Sequence, residues 1–156
     1  MLFSVADGKA EIARALLRAG AVPTGDLLRA ACIFGHGMVV RELIRAGAVP
    51  TAAMLQSACA SQRGRPAAVV RVLLDAGVPV LFDAMFYAIH GGNAKIVSAM
   101  LQAGAVFPDI MLTLACTKGH EAVVRALLAA GLRPTDADMQ AACANGHARL
   151  TRILAG

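Results

Sequence analysis

Three stretches of the sequence hold a cysteine four residues before a histidine: ACIFGH (31–36), ACTKGH (115–120) and ACANGH (142–147). Thiolate and imidazole are the usual ligands of structural zinc, so these units first suggest a metal centre. Zinc needs about four ligands at roughly 2.0–2.3 Å. Each unit offers one cysteine and one histidine, with a glycine between them. That glycine is a helix-stop signal, so the histidine falls beyond the helix that carries the cysteine. The i, i+4 pairing of ligands on one helix face then fails. The fourth cysteine, Cys59, has no histidine at the matching position. No metal and no cofactor is assigned. The histidines are expected to orient the turn after the helix through backbone hydrogen bonds.

Other catalytic chemistry finds no purchase. The chain has no phosphate loop, no nucleophile elbow and no paired carboxylates in a plausible pocket. Its acidic residues are scattered near caps and turns. No catalytic residue is assigned, and the expectation is a protein that is not an enzyme.

The elements that carry these residues follow from composition and period. A chain of 156 residues suits one domain. Its hydrophobic share is 58%, yet alanine supplies much of it and only 4% is aromatic. Alanine and leucine favour helix, so an all-α protein is expected. The mean hydropathy is +0.63, but no apolar run reaches the roughly 18–20 residues of a spanning helix. The most apolar stretch, VPVLFDAMFYAI (78–89), is broken by Asp83. The start of the chain lacks the pattern of a secretory signal. A soluble, cytoplasmic protein is expected, without membrane contact.

The sequence repeats. Ala-Gly occurs at 19–20, 46–47, 76–77, 103–104, 130–131 and 155–156, a period of 27 with one three-residue insertion. Six units result, at about 1–20, 21–47, 48–77, 78–104, 105–131 and 132–156, forming a single domain. Each reads as two short helices. In 105–131 the first begins near Pro108-Asp109 and stops at Gly119, and the second runs over about 121–130 and stops at Gly131. Thr24, Thr51 and Thr135 are candidate N-caps, with Asp138 completing a capping box. Val123, Val124, Leu127 and Leu128 form one apolar face. A lone pair of helices cannot bury both faces, whereas stacked neighbours can, so the units should form a helix-turn-helix repeat solenoid.

LLRAACIFGHGMVVRELIRAGA (27–48) and LTLACTKGHEAVVRALLAAG (112–131) resemble ankyrin repeats. That family's core reads Thr-Pro-Leu-His-x-Ala-Ala, Gly-His, Val-Val-x-Leu-Leu and Gly-Ala. The likeness covers essentially the whole chain. Two departures stand out. The period is 27 where ankyrins have 33, and the missing residues fall where ankyrins carry a β-turn finger. The histidine after the first-helix leucine is replaced by Arg29, Gln56, Phe86, Thr113 and Gln140. The resemblance implies an ankyrin-like stack of about six helix pairs that binds another protein through its concave inner-helix face and interhelix loops, as scaffold, sequestering protein or inhibitor. A monomer is expected, with end-to-end contacts left open.

Placed in register, Cys32, Cys59, Cys116 and Cys143 share one slot with Ile89, so all four read as buried, unbridged thiols. Candidate contact residues gather where the pattern lapses. The fourth unit concentrates Phe82, Phe86, Tyr87 and His90. Tyr87 and His90 should lie on the concave side, with Phe34 and Lys118 extending the patch and Phe86 packed between units. The insertion SQRGRPAA (61–68) adds Arg63 and Arg65 to one loop, a second candidate contact. Arg14, Arg41, Arg71, Arg125 and Arg152 follow the valine-rich pairs and form a stripe on the outer helices. With a net charge of +5, that stripe supplies the alternative reading, binding of nucleic acid or another polyanion. No aromatics interleave with it, which argues against a single-strand binder.

Overall fold

The computed structural model describes residues 10–61 and 65–155. Among them the chain forms α-helices and no strand. In order these are α1 (Ala10–Arg18), α2 (Gly25–Ile33), α3 (Gly37–Arg45), α4 (Ala52–Ala60), α5 (Pro66–Asp75), α6 (Phe82–His90), α7 (Ala94–Gln102), α8 (Ile110–Lys118), α9 (Glu121–Ala129), α10 (Asp136–Ala144) and α11 (Ala148–Leu154). The expected all-α repeat is what the chain forms, with α1 in a second-helix position. Contacts gather into two compact units, Met1–Ala84 and Met85–Gly156, divided within α6.

Each unit is built the same way. In the first, α2 packs on α4 and α1–α3–α5 form a second row, with the pairs α2–α3 and α4–α5 joining the rows. In the second, α8 packs on α10 and α7–α9–α11 form the second row, joined by α8–α9 and α10–α11. The valine-rich pairs explain this packing. Val39-Val40, Val69-Val70, Ile96-Val97 and Val123-Val124 are all fully buried, and Leu43, Leu73, Met100 and Leu127 one turn later are equally so. Leu128 is only half-buried, at the margin of that face.

Local signals set the helix ends. Thr24 caps α2 by accepting from the Leu27 N–H at 3.4 Å. Thr135 caps α10 in a full capping box with Asp138. Thr51 and Asp109 occupy the N-cap positions of α4 and α8 without a side-chain cap bond. Both helices of most pairs stop on a glycine in the left-handed region, Gly119 after α8 (φ 76) and Gly131 after α9 (φ 99) among them. The next N–H reaches back five residues, as from His120 to the Ala115 carbonyl at 3.1 Å and from Leu132 to the Leu127 carbonyl at 3.2 Å. This is the Schellman closure that glycine permits.

Asp138 is a charged residue with only 2% exposure. Its carboxylate accepts the Thr135 N–H at 2.7 Å and the Thr135 hydroxyl at 2.9 Å. It also accepts the Thr113 hydroxyl of α8 at 2.6 Å. A local cap thus becomes a tie between neighbouring pairs.

Two predictions follow from these contacts. A Cβ at Gly119 would lie 2.6 Å from His147 Cε1, whereas one at Gly131 meets nothing within 4 Å. Gly131→Ala carries only the backbone penalty of its positive φ, about 1 kcal/mol. Gly119→Ala must also displace an imidazole, so urea denaturation should show it losing at least about 1 kcal/mol more. Equal losses would remove the close approach from the account. Asp138→Ala leaves the Thr135 N–H and the Thr113 hydroxyl unpartnered and should cost about 2–3 kcal/mol, against about 1 for Thr113→Val. The same titrations test this order.

Candidate functional site

Two of the Gly-His histidines, His120 and His147, bind backbone, and that backbone belongs to the preceding pair. The His120 ring donates from Nε2 to the His90 carbonyl at 3.1 Å, and His147 Nε2 to the Thr117 carbonyl at 3.2 Å. A carbonyl can only accept, so each ring carries its proton on Nε2. Each imidazole also lies against the glycine of the preceding turn. A Cβ at Gly92 would come within 2.7 Å of His120, as one at Gly119 would of His147. Glycine and histidine therefore recur together because each fits the other's counterpart one repeat away.

Two of the repeats without this histidine have physical substitutes. In the third repeat, which lacks the histidine, the Ser61 hydroxyl donates at 2.6 Å to the Ile33 carbonyl, the register equivalent of the His90 and Thr117 carbonyls. In the fourth, Asn93 caps α7 by accepting from the Ile96 N–H at 3.3 Å.

The thiols separate into two groups. Cys32, Cys59 and Cys116 are buried, and Ile89 in the same slot is fully buried. Loss of solvation pushes the Cys32 and Cys59 thiols up to about 12. Cys116 rises to about 11, through burial first and then the charge of Asp138 on the following pair. Cys143 departs from the expectation and is exposed. Cys116, in the same slot, sits on α8, against which α10 of the following pair packs. All four thiols are free, and no three His, Cys, Asp or Glu of the described residues gather within reach of one metal ion.

The aromatic cluster lies on the part of α6 within the second unit. Tyr87 is 38% exposed and Phe86 36%; His90 ends the helix and is exposed. Phe86 therefore does not pack away as expected. Its ring stacks on His90 at 5.7 Å between centroids and meets Tyr87 edge-on at 5.7 Å. The i, i+4 spacing of Phe86 and His90 brings those rings over one another. Each ring limits the freedom of its neighbours, so three rings form a preset surface. Phe82 is also exposed, at the start of α6.

The remaining candidates lie on other elements. Phe34 is half-buried at the C-cap of α2 and stacks on His36 at 6.3 Å, within the first unit. Lys118 is exposed at the last position of α8. Arg65 is the N-cap residue of α5 and is exposed, and its N–H donates to the Gly35 carbonyl at 3.3 Å. Arg63 and its neighbours at 62 and 64 lie outside the described residues.

The arginine stripe is unequal along its length. Arg14 Nη2 pairs with Glu42 at 2.9 Å and Arg125 Nη2 with Glu121 at 3.0 Å. The hydrogen bond from Arg14 holds the Glu42 carboxyl below its usual range, and the same bond raises Arg14. Arg41, Arg71 and Arg152 are exposed. Glutamates thus interrupt the run of charge that a polyanion would track. Sequence reading missed them because Glu42 and Glu121 occupy different repeat slots.

No family model and no curated protein matches this chain. No described helix is long and apolar enough to cross a membrane.

The exposure pattern predicts thiol reactivity. A disulfide-exchange reagent at about pH 8 should modify Cys143 alone in the native protein, since thiolate character and access set the rate. All four should react after unfolding. Rapid labelling of Cys32 or Cys59 in the native state would contradict the buried ladder.

Proposed function

We propose that this protein is an ankyrin-like interaction module that binds a partner protein without chemistry of its own. Its contact surface centres on Phe86, Tyr87 and His90. The observation that carries the reading is the exposed ring cluster on α6. Rings left at the surface and held by one another supply large contact area at little further cost in side-chain entropy, which is the character of an interface hot spot. Tyr87 is the only tyrosine in a chain without tryptophan. The first-helix face therefore offers few competing anchors. Lys118 and Arg65 add charge nearer the loops of their own units. Free, partly buried thiols suit a compartment that keeps cysteines reduced. Holding, sequestering or inhibiting the partner are all within reach of such a surface.

The test is capture from source lysate at low and high salt, with and without nuclease. The Tyr87→Ala/His90→Ala variant should retain the native helical spectrum and lose capture by at least about 30-fold, the scale of a hot spot. Capture that is unchanged in the variant would overturn the assignment of this surface.

A further inference from the structure

We propose that the groove between α9 and α11 is a docking site for an acidic peptide segment of a partner protein, with Arg149 and Arg152 as its carboxylate-binding residues. The groove encloses ≈ 520 Å³ and is lined by Glu121, Arg125, Arg149, Arg152 and Ile153. Three arginines against one glutamate leave an excess of two positive charges.

The ion pairs show which charges are available. Glu121 engages Arg125 alone, accepting from Nε at 3.3 Å and Nη2 at 3.0 Å. Arg149 and Arg152 are exposed, and neither has an ion pair or side-chain hydrogen bond among the described residues. They stand three residues apart on α11, where like charges are neighbours and repel. A carboxylate on each guanidinium relieves that repulsion and uses the planar fork that arginine presents.

A second groove, between α1 and α3, shows what an already neutralised version looks like. It encloses ≈ 580 Å³ and is lined by Arg14, Arg18, Arg45, Glu42, Leu17 and Ala46. There Glu42 accepts from both Arg14 and Arg45, at 2.9 and 3.3 Å. Arg18 and Arg45 also end their helices, where the carbonyl end of the helix attracts cations and opposes an anion. Arg149, in the first turn of α11, is under neither restraint, and Arg152, although in the last turn of that helix, has no glutamate partner.

The lining selects the ligand. It has no aromatic side chain on which a base could stack. Glu121 on one wall opposes a phosphate dianion more strongly than it opposes a single carboxylate. Ile153 is half-buried beside the two arginines and gives an aliphatic stem something to pack on. A peptide with spaced acidic side chains meets all three conditions.

The experiment measures anisotropy of a fluorescein-labelled alternating Glu-Ala peptide, with alternating Gln-Ala as the neutral probe and inorganic tripolyphosphate and oligothymidylate as competitors. The wild-type protein should bind the Glu-Ala peptide at low salt and weaken in about 0.3 M NaCl. Arg149→Glu/Arg152→Glu should lose at least about tenfold in affinity, while Arg41→Glu/Arg71→Glu changes it by under about twofold. Unfolding curves establish that both variants are folded. Equal losses in the two double variants would overturn the proposal in favour of unspecific attraction to net charge. It is overturned equally if the Glu-Ala peptide fails to bind, or if a phosphate competitor binds more tightly at the same residues. The site lies apart from the rings of α6, so capture lost through Tyr87 and His90 leaves this result unaffected.

Discussion

Helices of nine residues, such as α2 and α9, are too short to persist alone in water, because nucleation outweighs the few bonds each one closes. Every helix here must therefore be held by its neighbours. The valine-rich face of each second helix is buried, and so are Leu28, Leu55, Leu112, Cys32, Cys59 and Cys116 on the first helices. Since hydrophobic burial is non-directional, it does not fix the register between pairs. The polar contacts supply direction. An imidazole seated on the preceding glycine and donating to the preceding carbonyl allows one register, as does the Thr113–Asp138–Thr135 tie. Burial holds neighbouring pairs together, and these contacts fix the register of the pairs they join.

That division explains what the sequence reveals. Helix positions, glycine stops, the threonine caps and the buried valine pairs are all local or periodic, and each was legible from spacing alone. The partner of a histidine is not periodic in the same sense. His120 and His147 reach the carbonyls of the previous pair, and sequence reading placed their bonds in their own turns. The carboxylate of Asp138 was legible as a cap, but its second bond to Thr113 crosses 25 residues. Cys143 was grouped with the buried thiols because its slot repeats, whereas burial depends on what packs over the slot.

The candidate contact residues were found by the opposite logic. Tyr87 and His90 drew attention because α6 departs from the repeat, and that departure has a structural consequence in the ring cluster. Phe86 was misjudged for a physical reason. A phenyl ring in an alanine-rich stack would bury more area than any neighbour, which argues for an inward position. On α6 the fully buried positions are Ala88 and Ile89. The ring remains outside and packs on His90 and Tyr87.

Charge follows neither the hydrophobic period nor its lapses. Arginines at one slot suggest a continuous positive track, and by slot alone Arg14 and Arg125 are equivalent to Arg41, Arg71 and Arg152. The carboxylates that decide their availability come from other slots, Glu42 late in α3 and Glu121 at the start of α9. A glutamate within reach of two guanidiniums orders them and cancels part of their field. One that reaches a single guanidinium leaves its other neighbours uncompensated. The same count of three arginines and one glutamate thus gives a quiet groove beside α1 and a receptive one beside α11. Arg149 belongs to no stripe, and it is the nearby unpaired charge of Arg152 that gives it a role.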